Sequence, residues 1–410
     1  MKRILLIVET SRSYGRDIMA GISRFALEHG DWSIYFDDRG LLEEPADWLR
    51  RWAGNGIISR TAIPSLQQIL AKKRCPRVEL HGDACTHPSE VRVCDQTLAE
   101  MAANYFIERG FQHFGFYSCN TTWWVHARSC AYEQTIVRRG FSCNIYSDYL
   151  DLPLVLHPVW ENRFEKPLRK WLALLPKPVG IWVVTDHQAV RVLEGCRDLR
   201  LRVPEDVAIL GTSNDTLLCN LTSPPLSSID VNGITVGYEA ARLLQRKMDG
   251  VEPAKVLAQP IEVLPFQVVT RQSTDVIAIP EPDVAAALAL IREQACKRIN
   301  VAKIVDELGI SRRSLERYFM KYLNRSPHDE ILRIRINQAK ILLCATTLSI
   351  AAIARRTGFA SRDYFISVFH RQAGVTPQLY RNTTLSSAVV PAQTFCAATS
   401  TSSGEPFSPR

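Results

Sequence analysis

The sequence lacks the short motifs that mark the common classes of enzyme. It contains no GxSxG, HExxH or GxGxxG pattern and no phosphate-binding P-loop. Its 11 cysteines include no CxxC pair, and histidine and cysteine never cluster at the spacing of zinc ligands. Scattered thiols of this kind fit a reducing compartment, where they pack as small apolar side chains. We therefore predict that the protein is not an enzyme and that it needs no metal and no cofactor.

Long apolar runs are also missing, and no stretch approaches the roughly 20 residues that a membrane-spanning helix needs. The start, MKRILLIVET, resembles the front of a signal peptide, but its apolar run extends only from Ile4 to Val8 and no small-residue cleavage site follows. A buried first strand explains this run better. With 410 residues, of which 46% are hydrophobic, the chain can form two or three packed domains. The prediction is a soluble, cytoplasmic protein.

Positive charge is present in excess, and it is unevenly placed. The formal net charge is +8, and residues 283–382 alone contain 17 Lys and Arg against 8 Asp and Glu. The remainder of the chain is therefore close to neutral. Such an asymmetry suggests an anionic partner for this block, most often nucleic acid. Charge alone leaves a solvated basic surface equally open.

The first 270 residues alternate short apolar strands with helical patterns. The predicted strands include RILLIV, WSIYF, GIIS, RVEL, HFGFYS, GIWVVT and VAILGT. Continuous apolar strands separated by helices predict parallel sheets that are covered on both faces. About ten strands are too many for one small sheet, so we expect two α/β lobes in a domain spanning 1–271. Residues 272–283, QSTDVIAIPEPD, contain two prolines and little pattern, and we predict a linker there.

Residues 284–382 change to a wholly helical pattern that contains a helix-turn-helix. Gly309 supplies the positive φ of a tight turn, and Ser311 is a natural N-cap for the next helix. Leu315, Phe319 and Tyr322 then share one buried face. The opposite face presents Arg312, Arg313, Glu316 and Arg317. A Gly turn followed by a helix with exposed arginines is typical of DNA-binding helix-turn-helix units.

The same design recurs fifty positions later in the sequence. Ser349 and Ser361 are predicted N-caps on either side of a turn at Gly358, and Phe365 and Phe369 form the buried face of the second helix. Its exposed face presents Arg362, Asp363, Tyr364 and Ser367. Between the two units, PHDEILRIRINQAKILLC predicts a connecting helix roughly 25 Å long, which suits successive major grooves about 34 Å apart. The tail 383–410 is rich in Ser, Thr, Ala and Pro and is predicted to be disordered.

Residues 290–382, with the ending GFASRDYFISVFHRQAGVTPQLYR, closely resemble the DNA-binding domain of the AraC family of transcription regulators. The resemblance implies binding to double-stranded operator DNA, with base contacts from the eight exposed residues named above. Glu316 and Asp363 fit less directly. A carboxylate can accept a hydrogen bond from the amino group of cytosine, or it can orient a neighbouring arginine.

In the first domain, polar side chains follow two predicted strands at their carboxyl ends. Asp186 follows GIWVVT, and Asn214 and Asp215 follow VAILGT. Ligands of open parallel sheets bind outside these ends, and carboxylate and amide groups suit the hydroxyls of a sugar. The alternative is that these are solvated side chains at strand ends.

Residues 3–272 resemble the sugar-sensing domain of LacI-type regulators, which is itself similar to periplasmic binding proteins. By this resemblance Arg128, in WWVHARSCAYEQ, occupies the place of a cleft arginine. Trp123 and Trp124 could stack on the apolar face of a sugar, although one of them could instead belong to the core. The first strand-to-helix loop supplies Ser13 and Tyr14 as further candidates.

LacI-type proteins carry their DNA-binding unit before the sensor, whereas the first predicted strand of this sequence begins at Arg3. We therefore expect the DNA-binding unit at the other end. A LacI-like sensor followed by two AraC-like units resembles the xylose-operon regulators of bacteria. That resemblance implies a homodimer that responds to xylose or a related pentose, activates carbohydrate catabolic genes and contacts RNA polymerase. A repressor, a different sugar and a carbohydrate-binding protein without a regulatory role are the alternatives.

Overall fold

A computed structural model of the chain divides into two compact units, Met1–Ala278 and Ile279–Arg410. They are called the first and the second unit below. The structure describes residues 1–37, 44, 46–60, 64–80, 91–118, 123–146, 162–251, 260–276, 281–297, 299–346 and 348–388. The first unit is α/β and the second is helical, which confirms the predicted fold class.

The first lobe of the first unit is a parallel sheet of four strands in the order β2-β1-β3-β4. Its strands are β1 (Lys2–Ile7), β2 (Trp32–Asp37), β3 (Gly56–Ser59) and β4 (Arg77–Glu79), and its helices are α1 (Ser13–His29), α2 (Asp47–Arg51) and α3 (Pro64–Ala71). α1 forms because apolar residues recur every three or four positions, and Ile18, Ile22 and Phe25 are buried.

The second lobe is built on a six-stranded sheet in the order β12-β10-β9-β8-β6-β7. Its β10–β12 pair is antiparallel, and its other pairs are parallel. The remaining elements of the first unit are β5 (Val91–Val93), α4 (Asp95–Ile107), β6 (His113–Tyr117), α5 (Trp123–Arg138), β7 (Cys143–Ile145), α6 (Asn162–Leu174), β8 (Val179–Val183), α7 (Asp186–Asp198), β9 (Val207–Thr212), α8 (Thr216–Leu221), β10 (Ser227–Asp230), α9 (Gly233–Met248), β11 (Ile261–Val263) and β12 (Gln267–Val269). Of these, α9 packs against α1 and β3 of the first lobe. β5 and β11 pair with each other in a separate two-stranded sheet.

α1 and α9 pack together at two glycines. A Cβ atom at Gly21 would overlap the carbonyl oxygen of Ile234, and one at Gly237 would overlap the carbonyl oxygen of Ile18. The two backbones therefore touch where the helices meet, and any larger residue at either glycine would force them apart. This contact joins the start of the first unit to residues more than two hundred positions later.

The predicted linker begins too early in the sequence. Residues Gln272–Thr274 form a short 3-10 helix in the first unit, where Ser273 and Thr274 are fully buried. Ser273 Oγ donates to the carbonyl of Ile209 on β9 at 2.6 Å. These buried hydroxyls are bound to the sheet, so the segment up to residue 276 belongs to the first unit. Residues 277–280 of the predicted linker lie outside the described residues.

The second unit consists of helices joined by short turns. They are α10 (Pro282–Gln294), a short 3-10 helix (Ala295–Lys297), α11 (Val301–Leu308), α12 (Arg312–Leu323), α13 (Pro327–Ala345), α14 (Ile350–Arg356), α15 (Arg362–Ala373) and α16 (Pro377–Ala388). α16 continues to Ala388, so the predicted disordered tail from 383 also begins too early. Residues 389–410 of that tail lie outside the described residues.

The predicted caps and turns of the two helix-turn-helix units are confirmed. Ser311 and Ser361 accept hydrogen bonds from Ser314 N at 3.0 Å and from Tyr364 N at 3.2 Å, respectively. Gly309 and Gly358 have φ angles of 64° and 78°, in the region that glycine adopts at little cost. Leu315, Phe319, Phe365 and Phe369 are fully buried. Tyr322 is only partly buried, and Leu323 takes its place in the core of α12.

A buried carboxylate joins the first helix-turn-helix unit to the connecting helix α13. Glu330 is 1% exposed, and its oxygens are 2.9 Å from Arg325 Nε and 2.7 Å from Arg333 Nη2. Burial by itself would raise the pKa of Glu330. The hydrogen bond from Arg333 and the positive charges of Arg333, Arg325 and Arg292 outweigh burial and hold this pKa below its usual range.

Candidate functional site

A cavity of about 100 Å³ lies in the first unit, where strands of both lobes end. Its lining comes from β5 and from the residues after β1, β3, β4, β5, β6, β8, β9 and β10, and strand ends are where parallel sheets usually bind ligands. Six of the eight predicted ligand residues line it: Ser13, Tyr14, Trp124, Arg128, Asp186 and Asp215. Strand ends therefore bring these side chains together, as the sequence predicts.

The other two predicted ligand residues are placed differently. Asn214 lies at a neighbouring, more open cleft of about 490 Å³, and its side-chain oxygen accepts from Arg271 Nη2 at 2.9 Å. Its prediction as a group lining the same cavity as Asp186 is therefore corrected. The side chain of Trp123 lies outside the described residues.

Arg128 and Trp124 form one wall of the cavity with Asp95. Arg128 Nε donates to Asp95 Oδ1 at 2.7 Å, and the guanidinium lies 4.8 Å from the centre of the Trp124 ring. A cation at this distance is attracted by the ring face. One face of the indole is thus occupied by Arg128, which leaves less of Trp124 for the predicted stacking on a sugar. Asp95 is a site residue that the sequence prediction missed.

Arg60 is a second missed residue, and it lies against Tyr14. Its guanidinium is 5.0 Å from the centre of the Tyr14 ring and donates to Glu9 Oε2 at 3.2 Å. Burial raises the pKa of Tyr14, so its hydroxyl is neutral at pH 7 and can donate to a ligand. Arg60 follows the strand GIIS. The rule that ligands bind at the carboxyl ends of parallel strands, which predicted Asp186, could therefore have predicted Arg60 as well.

Further polar lining comes from His187, Arg12 and Arg92, which were also missed, and from the hydroxyl-bearing residues Thr185, Thr212 and Ser213. Burial, together with the positive charge of Arg12, lowers the pKa of His187. The imidazole is therefore neutral at pH 7 and can both donate and accept a hydrogen bond. Arg92 is paired with Glu262, at 2.8 Å between Nη2 and Oε1. A lining that offers both donors and acceptors suits a polyhydroxylated ligand.

Asp186 lines the cavity, but its carboxylate is already engaged within the protein. It is 1% exposed, and its two oxygens accept from Ser228 Oγ at 2.6 Å and from Asp215 N at 2.7 Å. Burial raises the pKa of Asp186 to about 7, although the bonds from Ser228, Asp215 and Cys219 lower it. Asp186 is predicted to bind sugar hydroxyls, and both of its oxygens already accept hydrogen bonds from the protein. Asp186 instead holds the turn that follows β9.

Asp215 connects the two lobes at the edge of the cavity. Its Oδ1 accepts from Leu218 N at 3.3 Å and caps α8, while its Oδ2 lies 3.3 Å from Arg16 Nη2 on α1. Ser13 Oγ donates to the carbonyl of Ser213 at 3.5 Å across the same gap. These contacts cross from the first to the second lobe, so residues around the cavity are sensitive to lobe movement.

In the second unit, α12 presents the predicted DNA-contacting residues on its exposed side. Arg312, Arg313 and Arg317 are exposed, and Glu316 is partly exposed. Arg312 Nε donates to Glu316 Oε1 at 2.9 Å, and the Arg317 guanidinium lies 5.0 Å from the centre of the Tyr318 ring. The first contact favours an orienting role for Glu316 over direct recognition of cytosine. The base contacts themselves remain a prediction.

α15 has the same arrangement in the second helix-turn-helix. Its four predicted residues are all exposed, namely Arg362, Asp363, Tyr364 and Ser367. The Tyr364 ring lies 6.0 Å from Phe359, which is buried. Both helices thus combine an aromatic or apolar buried side with a polar exposed side, as expected for helices that enter a groove.

Within the described residues, no group of three or more His, Cys, Asp and Glu side chains is placed to hold a metal ion. In the same part of the chain, no helix is long and apolar enough to cross a membrane.

Both parts of the chain match models of known protein families. A periplasmic binding protein-like domain matches residues 103–274. A helix-turn-helix domain matches residues 304–383. The two matches occur in the order that the sequence predicts.

Curated relatives match along nearly the whole chain. The xylose operon regulatory protein of Escherichia coli K12 is 31% identical over 391 residues, which cover 93% of this chain and 97% of the relative. The xylose operon regulatory protein of Haemophilus influenzae is 30% identical over 388 residues, covering 92% and 98%.

Solved structures agree with these relatives. The structure of the xylose-binding transcription activator xylR has a TM-score of 0.74 at 29% identity, and the match covers 93% of this chain and 98% of that one. A LacI family regulator from Enterococcus faecalis with bound ribose shares the fold of the first unit, with a TM-score of 0.51 at 17% identity, covering 68% of this chain and all of its own. The chain therefore belongs to the family of xylose operon regulatory proteins, and it is a ligand-responsive, DNA-binding transcription regulator rather than an enzyme.

Proposed function

We propose that the protein is a cytoplasmic, xylose-induced activator of carbohydrate catabolic genes. The observation that carries this proposal is the match to xylose operon regulatory proteins over 93% of the chain, through both units. The related solved structure is described as a xylose-binding activator, which supports both the sugar and the direction of control. Repression and a different sugar are the alternatives that experiment has to separate.

The cavity supports a small sugar as the effector. Asp95 and Arg128 supply an acceptor and a donor on one wall, and the neutral His187 supplies either. Tyr14 and Trp124 add aromatic surface, which packs on the apolar face of a sugar ring. A pentose has hydroxyl groups on several carbons, so a lining with donors and acceptors on several sides can satisfy them.

The second unit supports binding to two successive major grooves of operator DNA. α13, which connects the two helix-turn-helix units, has 19 residues and is therefore about 28 Å long. Two recognition helices held by a rigid connector can approach the groove spacing of about 34 Å. We further propose that two copies act as a homodimer on paired half-sites and that the bound protein contacts RNA polymerase.

Sugar binding should stabilise the first unit in a thermal-shift screen. Stabilisation follows RT ln(1 + [L]/Kd), so a micromolar ligand at millimolar concentration adds about 4 kcal/mol. For a domain of this size, that corresponds to a rise in Tm of roughly 8–16 °C. D-xylose, D-ribose, L-arabinose and D-glucose should be compared on the full chain, and xylose should give the largest rise.

The Arg128→Ala variant is the site control for this screen, because it removes a cavity donor from an otherwise intact chain. It should lose most of the xylose response. A larger rise with ribose or arabinose would replace xylose as the effector but keep the sensor. A flat response to every sugar would count against a sugar sensor altogether.

Arg313→Ala and Arg362→Ala should each relax sequence specificity at one position of the operator. Losing a good base contact costs about 1–3 kcal/mol against the correct base and little against others. Binding to a set of single-base operator variants measures this directly. The matched control is Lys297→Ala, which removes an exposed cation before the first helix-turn-helix. Equal weakening on every sequence would show that the two arginines contact phosphates instead.

A further inference from the structure

The turn that follows β9, formed by Ser213, Asn214 and Asp215, lies between the cavity and the end of the first unit. Ser213 and Asp215 line the cavity. Asn214, between them, directs its side-chain oxygen to Arg271 Nη2 at 2.9 Å. One tight turn thus contacts both the cavity and Arg271, which lies near the end of the first unit.

The turn is strained and tightly held, so its residues cannot move independently. Ser213 and Asn214 have φ angles of 104° and 50°, in the left-handed region that side chains other than glycine rarely adopt. Each of its three backbone N–H groups is bound: Ser213 N to Ile229 O at 2.9 Å, Asn214 N to Ser228 Oγ at 2.9 Å and Asp215 N to Asp186 Oδ2 at 2.7 Å. A shift of the cavity wall must therefore also shift Asn214.

Arg271 links Asn214 to the segment through which the chain leaves the first unit. Besides Asn214, its Nη1 donates to the carbonyl of Leu226 at 3.0 Å. Ser273 and Thr274, which follow it, are buried and bonded to the sheet. The covalent path to the second unit continues directly from these residues. Arg271 thus contacts the turn after β9 and lies only a few residues before the chain leaves the first unit.

We propose that the hydrogen bond between Asn214 and Arg271 couples the occupancy of the cavity to the affinity of the second unit for DNA. The inference rests on the proposed sugar-dependent regulation and names the residues that transmit it. Both are positioning residues, because Asn214 lies outside the main cavity and Arg271 belongs to the first unit. Sugar that contacts Ser213 or Asp215 changes the turn, and Arg271 transfers that change to the exit segment.

A purely structural role for this contact makes a different prediction. If the bond only stabilised the first unit, its loss would lower Tm but leave the response of DNA binding to sugar unchanged. If it couples the two sites, its loss would reduce that response while each ligand still binds alone. The ratio of DNA affinities with and without sugar therefore separates the two roles.

The test measures D-xylose affinity and DNA affinity on the full chain, with each ligand alone and with both together. The DNA is a duplex selected in vitro for tight binding to the full chain at saturating D-xylose. Wild type should show a coupling factor of roughly 5 to 150, equal in both directions. In Asn214→Gly, which keeps the left-handed backbone accessible, the factor should fall to about one. Affinities for xylose alone and DNA alone should stay within about threefold, because neither site is touched.

Arg271→Lys keeps the charge but loses the forked geometry, and it should reduce the coupling in the same way. The double variant should match the single variants, because all of them break one link. The control is Arg202→Lys in the same lobe, whose guanidinium binds Asp206 instead, and it should couple like wild type. Wild-type coupling in both Asn214→Gly and Arg271→Lys would overturn this inference alone. Absence of coupling in wild type would overturn it together with the proposed function.

Discussion

Replacing Gly21 or Gly237 with alanine should unfold the first unit at temperatures where the wild-type unit is stable. The added Cβ would overlap a backbone carbonyl of the opposing helix in each case, so α1 and α9 would have to separate. Overpacking of a rigid contact costs typically 1–3 kcal/mol, and a clash with backbone lies at the upper end of that range. A loss of about 3 kcal/mol lowers Tm by roughly 6–12 °C for a domain of this size.

Thermal melts followed by circular dichroism would measure this effect, with Ser23→Ala as the control. Ser23 is exposed on the same helix, so its variant adds no contact and should melt within about 2 °C of wild type. Alanine raises helix propensity at both glycines, which works against the predicted loss. If Gly21→Ala and Gly237→Ala also melted at the wild-type temperature, the two helices would have room to move apart.

Replacing Glu330 with glutamine should destabilise the second unit by about 1.5–3 kcal/mol, the contribution of hydrogen bonds to a charged group. The carboxylate is 1% exposed and lies between Arg325 and Arg333, so its loss leaves their charges uncompensated. Denaturation of the full chain, followed by a signal from the second unit, would measure the loss. DNA affinity should also fall under conditions in which the second unit of the variant is partly unfolded.

Glu293→Gln is the matched control, because Glu293 forms an exposed pair with Lys297 at 3.5 Å. Exposed pairs contribute about 0–1 kcal/mol, so this variant should be nearly neutral. Equal stability of the two variants would contradict the role of burial.

The contribution of Glu330 to the stability of the second unit should also depend on pH. Because its pKa is lowered in the folded state, the contribution is complete above the pKa of the unfolded chain, about 4.3. It is lost as the pH falls through the folded value. The difference between wild type and Glu330→Gln should therefore shrink in acid.

Local pattern was sufficient to predict most of the fold. The serine N-caps and glycine turns of the helix-turn-helix units are single-residue signals whose hydrogen bonds form within three positions, such as Ser311 to Ser314. They were confirmed for that reason. The predicted start of the linker was wrong because contacts between distant residues determine where the first unit ends. Ser273 and Thr274 look like a polar linker, and their contacts with the distant Ile209, Ser227 and Tyr105 hold them in the interior.

The candidate site was predicted only in part, for a related reason. The rule of strand ends found Asp186 and Asp215, but it cannot show that Asp186 is engaged by Ser228, 42 positions later. Arg92 lies within β5 and Asp95 follows it, and this strand has only three residues and no recognisable pattern. Arg92 pairs with Glu262, 170 positions away. Ion pairs between distant segments leave no local signal.

The glycine contact between α1 and α9 also constrains how the chain folds during its synthesis. α1 ends at His29, while its partner begins at Gly233, about 200 residues later. At 5–20 residues per second, the ribosome needs roughly 10–40 s to deliver α9. During that time α1 must expose its glycine face, whereas the short-range helices of the second unit can pair as soon as they emerge. The first lobe, although it is made first, is therefore completed late, and chaperones would meet its unpaired α1 before α9 exists.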